Sequence, residues 1–286
     1  MLSSDLISKI KPIRLRAKLI VEGFLTGLHK SPYHGFSVEF RDHRSYNKGD
    51  EIRFIDWKVY ARTDRFYVRR FEDETNLMSY IVLDNSASMG YTREKFDFAR
   101  NLAAAIAYLL YLQRDAFGLV VFNEKLETLI PPRTSRVNLN HVMQILDRLE
   151  TRGKTTLTSY KILPEKLKKR GLVVFISDML VNPEEIISSL RMFRYRKHEV
   201  LALQVLSPEE LEIKGRARIF EDLESGERVP FDPVNLKEEY KKRLEEHIST
   251  LKRELRKSNI DYEFFHTDEP IELALYRFFK KREKLL

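Results

Sequence analysis

Ser79-Tyr80-Ile81-Val82-Leu83-Asp84-Asn85-Ser86-Ala87-Ser88-Met89-Gly90 runs from an unbroken apolar stretch into an acid, an amide and two hydroxyls. An apolar run without polar alternation predicts a strand covered on both faces, the condition of a parallel sheet sandwiched between helices. The residues that follow fit such a cover. Over about 93 to 113, Phe96, Ala99, Ala103, Ile106 and Leu110 recur on one helical face.

The alternation continues outward. Residues 116–122 predict a second central strand, a short strand lies near 126–130, and helices are expected around 136–150 and 157–169. Leu172-Val173-Val174-Phe175-Ile176 predicts a third central strand, a helix is expected near 183–195, and Val200 to Val205 predict another strand. Strands alternating with helices define an α/β, doubly wound, mainly parallel sheet. Beyond it come a hairpin within 216–231, a charged helix at about 234–257, a strand at 262–265 and a closing helix from about 270.

Upstream, the pattern changes. Leu6, Ile7, Ile10, Ile13, Leu15, Leu19, Ile20 and Phe24 form an apolar face among lysines and arginines, so a basic amphipathic helix opens the chain. Such a helix can lie on a membrane or a partner, but more often packs on its own domain. Residues 34 to 78 are dense in aromatics and charges around Asn47-Lys48-Gly49-Asp50, which predicts short strands or extended arms. The expected division is a helix and arm over 1–78 and the α/β domain, with its C-terminal hairpin and helical extension, over 79–286.

The totals limit the function classes. With 286 residues, 43% of them hydrophobic, the chain can bury a real core. It has no cysteine, which excludes a disulfide scaffold, a thiol nucleophile and a zinc site built on sulfur. No segment approaches the roughly 18 apolar residues of a membrane span, so a cytoplasmic protein is expected. A net charge of +8 favours anionic partners without choosing among them.

In an open parallel sheet, ligands bind beyond the carboxyl ends of the strands. DNSASMG at 84–90 stands there, and three uses compete. A nucleophile elbow requires GxSxG, yet the residues two before Ser86 and Ser88 are Asp84 and Ser86. A turn is favoured by Asp, Asn and Ser, whose side chains bond nearby backbone N–H groups. A divalent-cation site is equally compatible, since one carboxylate and two alternating hydroxyls supply one side of an oxygen shell. Two further donors favour the last use. Asp178 follows the third central strand, and Thr155, with Thr156 beside it, lies in a hydroxyl-rich loop opening a helix. Gly153-Lys154-Thr155 imitates the end of a phosphate-binding loop, but Arg148 stands where that motif needs glycine, and helix rather than strand is expected before it.

The set Asp84, Ser86, Ser88, Thr155 and Asp178 resembles the metal-ion-dependent adhesion site of von Willebrand factor A domains. By that resemblance Asp84, Ser86, Ser88 and Thr155 touch Mg²⁺ (or Mn²⁺ or Ca²⁺), directly or through water, and Asp178 acts through water. Upstream, Phe36, Glu39-Phe40, Arg44-Ser45-Tyr46, Gly49-Asp50, Arg53, Ile55-Asp56-Trp57, Ala61-Arg62 and Val68-Arg69 are similar, in order, to the signature of a prokaryotic family. That family carries a von Willebrand factor A-like domain and is commonly encoded beside MoxR-type AAA+ ATPases. It implies a non-enzymatic, metal-dependent interaction module whose partners are a MoxR-type ATPase or a client supplying an Asp or Glu to the metal.

Asp50, Arg53, Asp56, Arg62 and Arg69, beside Tyr46 and Trp57, read more as a structural network of ion pairs than as a binding surface. Two alternatives remain. The metal could activate water for phosphoester hydrolysis, although that use ordinarily has more carboxylate or histidine ligands. The basic N-terminal helix could bind nucleic acid, although Asp42, Asp50, Glu51, Asp56, Asp64, Glu72, Asp73 and Glu74 break any phosphate track in the arm.

Overall fold

The computed structural model describes residues 12–29, 43–45, 62, 64, 67–69, 78–153, 157–212, 218–221, 228–231 and 233–276. At its centre lies a six-stranded sheet formed by β3 (Ser79–Asp84), β4 (Phe117–Phe122), β5 (Leu126–Arg133), β6 (Leu172–Ser177), β7 (Glu199–Leu206) and β10 (Asp261–His266). The order is β10-β7-β6-β3-β4-β5, parallel throughout except for β5, which returns antiparallel beside β4.

Every residue of β3, β4 and β6 is buried, as their unbroken apolar composition predicts. Alternate residues enter opposite layers. Ile81, Leu83, Leu119, Val121, Val174 and Ile176 share one core with α1 (Ile13–His29), α2 (Arg93–Leu112) and α3 (Arg136–Arg148). Tyr80, Val82, Val120, Phe122, Val173 and Phe175 meet α4 (Leu157–Lys166), α5 (Pro183–Tyr195) and α7 (Pro233–Lys257). Each fully buried aliphatic side chain stabilises this arrangement by about 1.5–3 kcal/mol.

The helices start where the sequence offers caps. The Thr92 hydroxyl accepts the Lys95 N–H at 3.2 Å to open α2, and Ser135 accepts the Asn138 N–H at 3.1 Å to open α3. Asn182 accepts the Glu184 N–H at 2.9 Å, and Pro183 occupies the first turn of α5, where its missing N–H costs nothing.

The basic helix α1 packs on the domain's own helices α2 and α3. Ile13, Ala17, Ile20 and Val21 are buried, and the Ile13 N–H bonds Asp147 at 3.3 Å. Among the described residues, no helix is long and apolar enough to cross a membrane.

Two short pairs stand outside the central sheet. β1 (His43–Ser45) and β2 (Tyr67–Arg69) are antiparallel, with Arg44 opposite Val68, which joins two parts of the upstream signature. β8 (Arg218–Glu221) and β9 (Arg228–Phe231) form the expected hairpin. The network read around Tyr46, Asp50, Arg53, Asp56 and Trp57 lies outside the described residues. Two local features escaped the sequence reading: β5 reaches Arg133 through Pro131 and Pro132, and α6 (Pro208–Leu211) is a single turn after β7. Both prolines are tolerated because β5 is the edge strand of the sheet among the described residues.

Candidate metal centre

From β3 the chain first adds β4 and β5 on one side, then returns to place β6 on the other, so the topological switch point falls between β3 and β6. In open α/β sheets this is where the crevice at the carboxyl edge forms. Leu83 pairs with Ile176, and the next residues bring Asp84 beside Ser177, followed by Asp178.

Asp84 is fully buried. One carboxylate oxygen accepts the Ser86 N–H at 2.9 Å, and the other accepts the Ser177 hydroxyl at 2.8 Å. The first bond closes the turn that the Asp and Ser predict. That turn leads into a 3-10 segment, Ala87–Gly90. The turn expected of these residues is thus present.

The Ser86 and Ser88 hydroxyl oxygens stand 3.0 Å apart. Neighbouring ligands of an octahedral Mg²⁺ at 2.0–2.1 Å are about 2.9 Å apart, so this pair has the spacing of two adjacent ligands. Their mutual bond also argues against an activated nucleophile, which would be hydrogen-bonded to a base.

Asp178 is buried at the next strand end. Its carboxylate accepts the Leu180 N–H at 3.4 Å and, through the other oxygen, the Lys95 ammonium at 2.9 Å. The loop is clamped from several sides. Gln204 donates to the Asp178 carbonyl at 2.7 Å, the Ser177 hydroxyl accepts the Met179 N–H at 3.0 Å, and His247 bonds the Met179 carbonyl at 2.7 Å. Buried Met179 holds a left-handed backbone at φ 51°, and these bonds keep it there.

Lys95 was not visible as a site residue in the sequence. Its side chain is 0% exposed, and its ammonium donates to Asp178, to Glu210 at 2.6 Å and to the Ser88 carbonyl at 3.0 Å. Burial works against that charge, but Asp178 and Glu210 outweigh it and raise the lysine pKa, so the ammonium is retained. Glu210 is raised by burial, opposed by Lys95. Burial first, then the charge of Asp178, push Asp84 up to about 7, against the bonds from Ser86 and Ser177. Among the described residues, the cluster presents three carboxylates, Asp84, Asp178 and Glu210, against the single ammonium of Lys95. Among the described residues no three His, Asp or Glu side chains converge to hold a metal by themselves, but the Asp84 carboxylate with the Ser86 and Ser88 hydroxyls fits one side of a divalent cation's oxygen shell.

Thr155 and its neighbour Thr156 lie outside the described residues, but the loop leading to them does not. Ala87 N–H bonds the Gly153 carbonyl at 2.9 Å, and Arg152 N–H bonds the Asn85 carbonyl at 2.8 Å. Glu127 on β5 ties these loops together: it accepts Asn85 at 3.0 Å, Asn123 at 2.7 Å and Arg152 at 2.9 and 3.0 Å. Gly90 lies so close that a Cβ would sit 2.3 Å from the Thr151 hydroxyl oxygen. Residues 151–153 are therefore held against DNSASMG.

A doubly wound α/β domain with acids and hydroxyls gathered at its switch point is the class that this fold and edge define. The chain belongs to the family described as Protein of unknown function DUF58, which matches residues 42–250. It is similar to an uncharacterized protein of Mycobacterium tuberculosis, 28% identical over 290 residues that cover 98% of this chain and 90% of that one. Among solved structures, it is similar to an aerotolerance-related membrane protein from Bacteroides fragilis, with a TM-score of 0.50, 14% identity and coverage of 73% of this chain and 99% of that one. The VWA domain of SpRpn10 aligns with a TM-score of 0.43 and 10% identity, over 70% of this chain and 94% of that one. The likeness to the Bacteroides fragilis protein is one of fold.

Proposed function

We propose that this chain is a non-enzymatic, divalent-metal-dependent protein-interaction module. Asp84, Ser86, Ser88 and Thr155 would hold Mg²⁺, Mn²⁺ or Ca²⁺, with Asp178 acting through water. The observation that carries this reading is the Ser86–Ser88 hydroxyl pair, 3.0 Å apart beside the buried Asp84 carboxylate. A divalent ion held by one carboxylate and neutral hydroxyls supplies positive charge and an open coordination position for an Asp or Glu from outside. The chain's own groups prepare that position. Ser177 and the Ser86 N–H fix the Asp84 carboxylate, and the Asn85–Glu127–Arg152 network ties Arg152 to the DNSASMG turn.

The partner we infer is a MoxR-type AAA+ ATPase, or a client that it remodels or matures, with this chain as adaptor. The upstream signature carries that inference, and the β1–β2 pairing of Arg44 with Val68 agrees with a common role for its separated segments.

Calorimetry with Mn²⁺ on wild type and Asp84→Ala tests the metal, and loss of binding in the variant is expected. A pull-down of the ATPase encoded by a neighbouring gene, in Mg²⁺ and in EDTA, tests the partner. Unchanged Mn²⁺ binding in Asp84→Ala would reject the site. Hydrolysis of a phosphoester that disappears in the variant would replace the adaptor with an enzyme.

A further inference from the structure

A lysine with no exposed side-chain surface is rare unless its charge is fully used. Lys95 opens the apolar stripe of α2, and its ammonium bonds Asp178, Glu210 and the Ser88 carbonyl, all from different loops at the sheet edge. Glu210 is itself fixed. Its second oxygen accepts the Ser207 N–H at 2.7 Å and the Ser207 hydroxyl at 3.0 Å, and its carbonyl accepts the Tyr240 hydroxyl of α7 at 2.7 Å. Lys95 is therefore anchored by a fixed Glu210, while Asp178 bonds it through one oxygen and the Leu180 N–H through the other.

We propose that Lys95 is a positioning residue of the metal centre: it holds Asp178 back from the direct ligand set and leaves the open position to an external carboxylate. This rests on the metal-site reading above. With its carboxylate shared between an ammonium and a backbone N–H, Asp178 would reach a bound cation through water rather than as a direct ligand. Glu210 absorbs part of the lysine's charge and sets how strongly that charge is felt at the site.

Mn²⁺ alone, titrated into the full chain, separates this role from simple packing, with affinity read by calorimetry and bound-metal hydration by water-proton relaxation. Lys95→Met removes a unit positive charge beside a divalent one and frees Asp178, so Mn²⁺ is expected to bind about tenfold more tightly. Relaxation enhancement per bound Mn²⁺ should fall, because the Asp178 carboxylate displaces a water. Glu210→Gln leaves Lys95 with one carboxylate partner, so Mn²⁺ binding should weaken several-fold with relaxation enhancement unchanged. Packing alone does not produce opposite shifts from the two variants. Wild-type affinity and hydration in Lys95→Met would overturn the proposal; if that variant does not fold, unchanged affinity in Glu210→Gln would overturn it. A wild-type chain that binds no Mn²⁺ would instead remove the metal reading, and this role with it.

Discussion

Replacing Asp84 with Asn keeps the shape of a fully buried side chain and removes its charge. In the metal-free wild type, burial and Asp178 push this carboxyl up to about 7 from an ordinary 3.8. A folded-state pKa above the unfolded one means that the folded form binds the proton more tightly. The stability attached to this group is then greatest at about pH 4 and falls as pH rises toward 7. At about 1.4 kcal/mol per pH unit, the ionised carboxylate without a cation costs on the order of 4 kcal/mol above pH 7. Asparagine escapes that cost but pairs imperfectly: it can accept the Ser86 N–H, whereas its amide NH₂ stands where the carboxylate accepted the Ser177 O–H, so that donor loses this acceptor. The mismatch returns about 1–3 kcal/mol at every pH. The stability difference between wild type and Asp84→Asn should therefore shift by about 2–3 kcal/mol in favour of the variant between pH 5 and pH 8. Urea unfolding in EDTA at the two pH values measures the shift, and a parallel series in Mg²⁺ should stabilise the wild type alone at pH 8. A difference between the two proteins that stays constant from pH 5 to pH 8 would refute the idea that a buried charge awaits a cation.

Gly90→Ala places a methyl 2.3 Å from the Thr151 hydroxyl oxygen, so the 151–153 loop must move away from DNSASMG. A loss of about 1–3 kcal/mol in urea unfolding is expected, with several-fold weaker Mn²⁺ binding by calorimetry. Glu127→Ala removes the shared acceptor of Asn85, Asn123 and Arg152. The Arg152 side chain is 71% exposed, so its ion pair adds little stability; the loss of about 1–3 kcal/mol comes from the buried Asn85 and Asn123 amides. Hydrogen exchange at the Arg152 N–H, which bonds the Asn85 carbonyl, should accelerate in that variant.

The central strands could be read from sequence because their pattern is local: 172–176 and 200–203 are unbroken apolar runs that the sheet buries on both faces. Helices α2 and α5 were equally legible, since an apolar stripe and a capping residue lie within a few turns of each other. The edge strand β5 was harder to bound, because one face is half-exposed and two prolines interrupt the usual signal. Glu210 could be recognised only as the fourth residue of Ser207-Pro208-Glu209-Glu210, a helix-opening pattern whose second use involves Lys95, 115 residues away.

By itself, then, the sequence determined the α/β layering and the residue types at the candidate site, because hydrophobic period and turn chemistry act between near neighbours. Only the tertiary structure decided which groups share that edge. The parallel register of β3 with β6 sets Ser177 on Asp84, and the packing of α2 under the edge carries Lys95 to Asp178 and Glu210. Charges that far apart in the chain are brought together by the fold, and in a dry interior their mutual distances, more than their identities, govern what the site can hold.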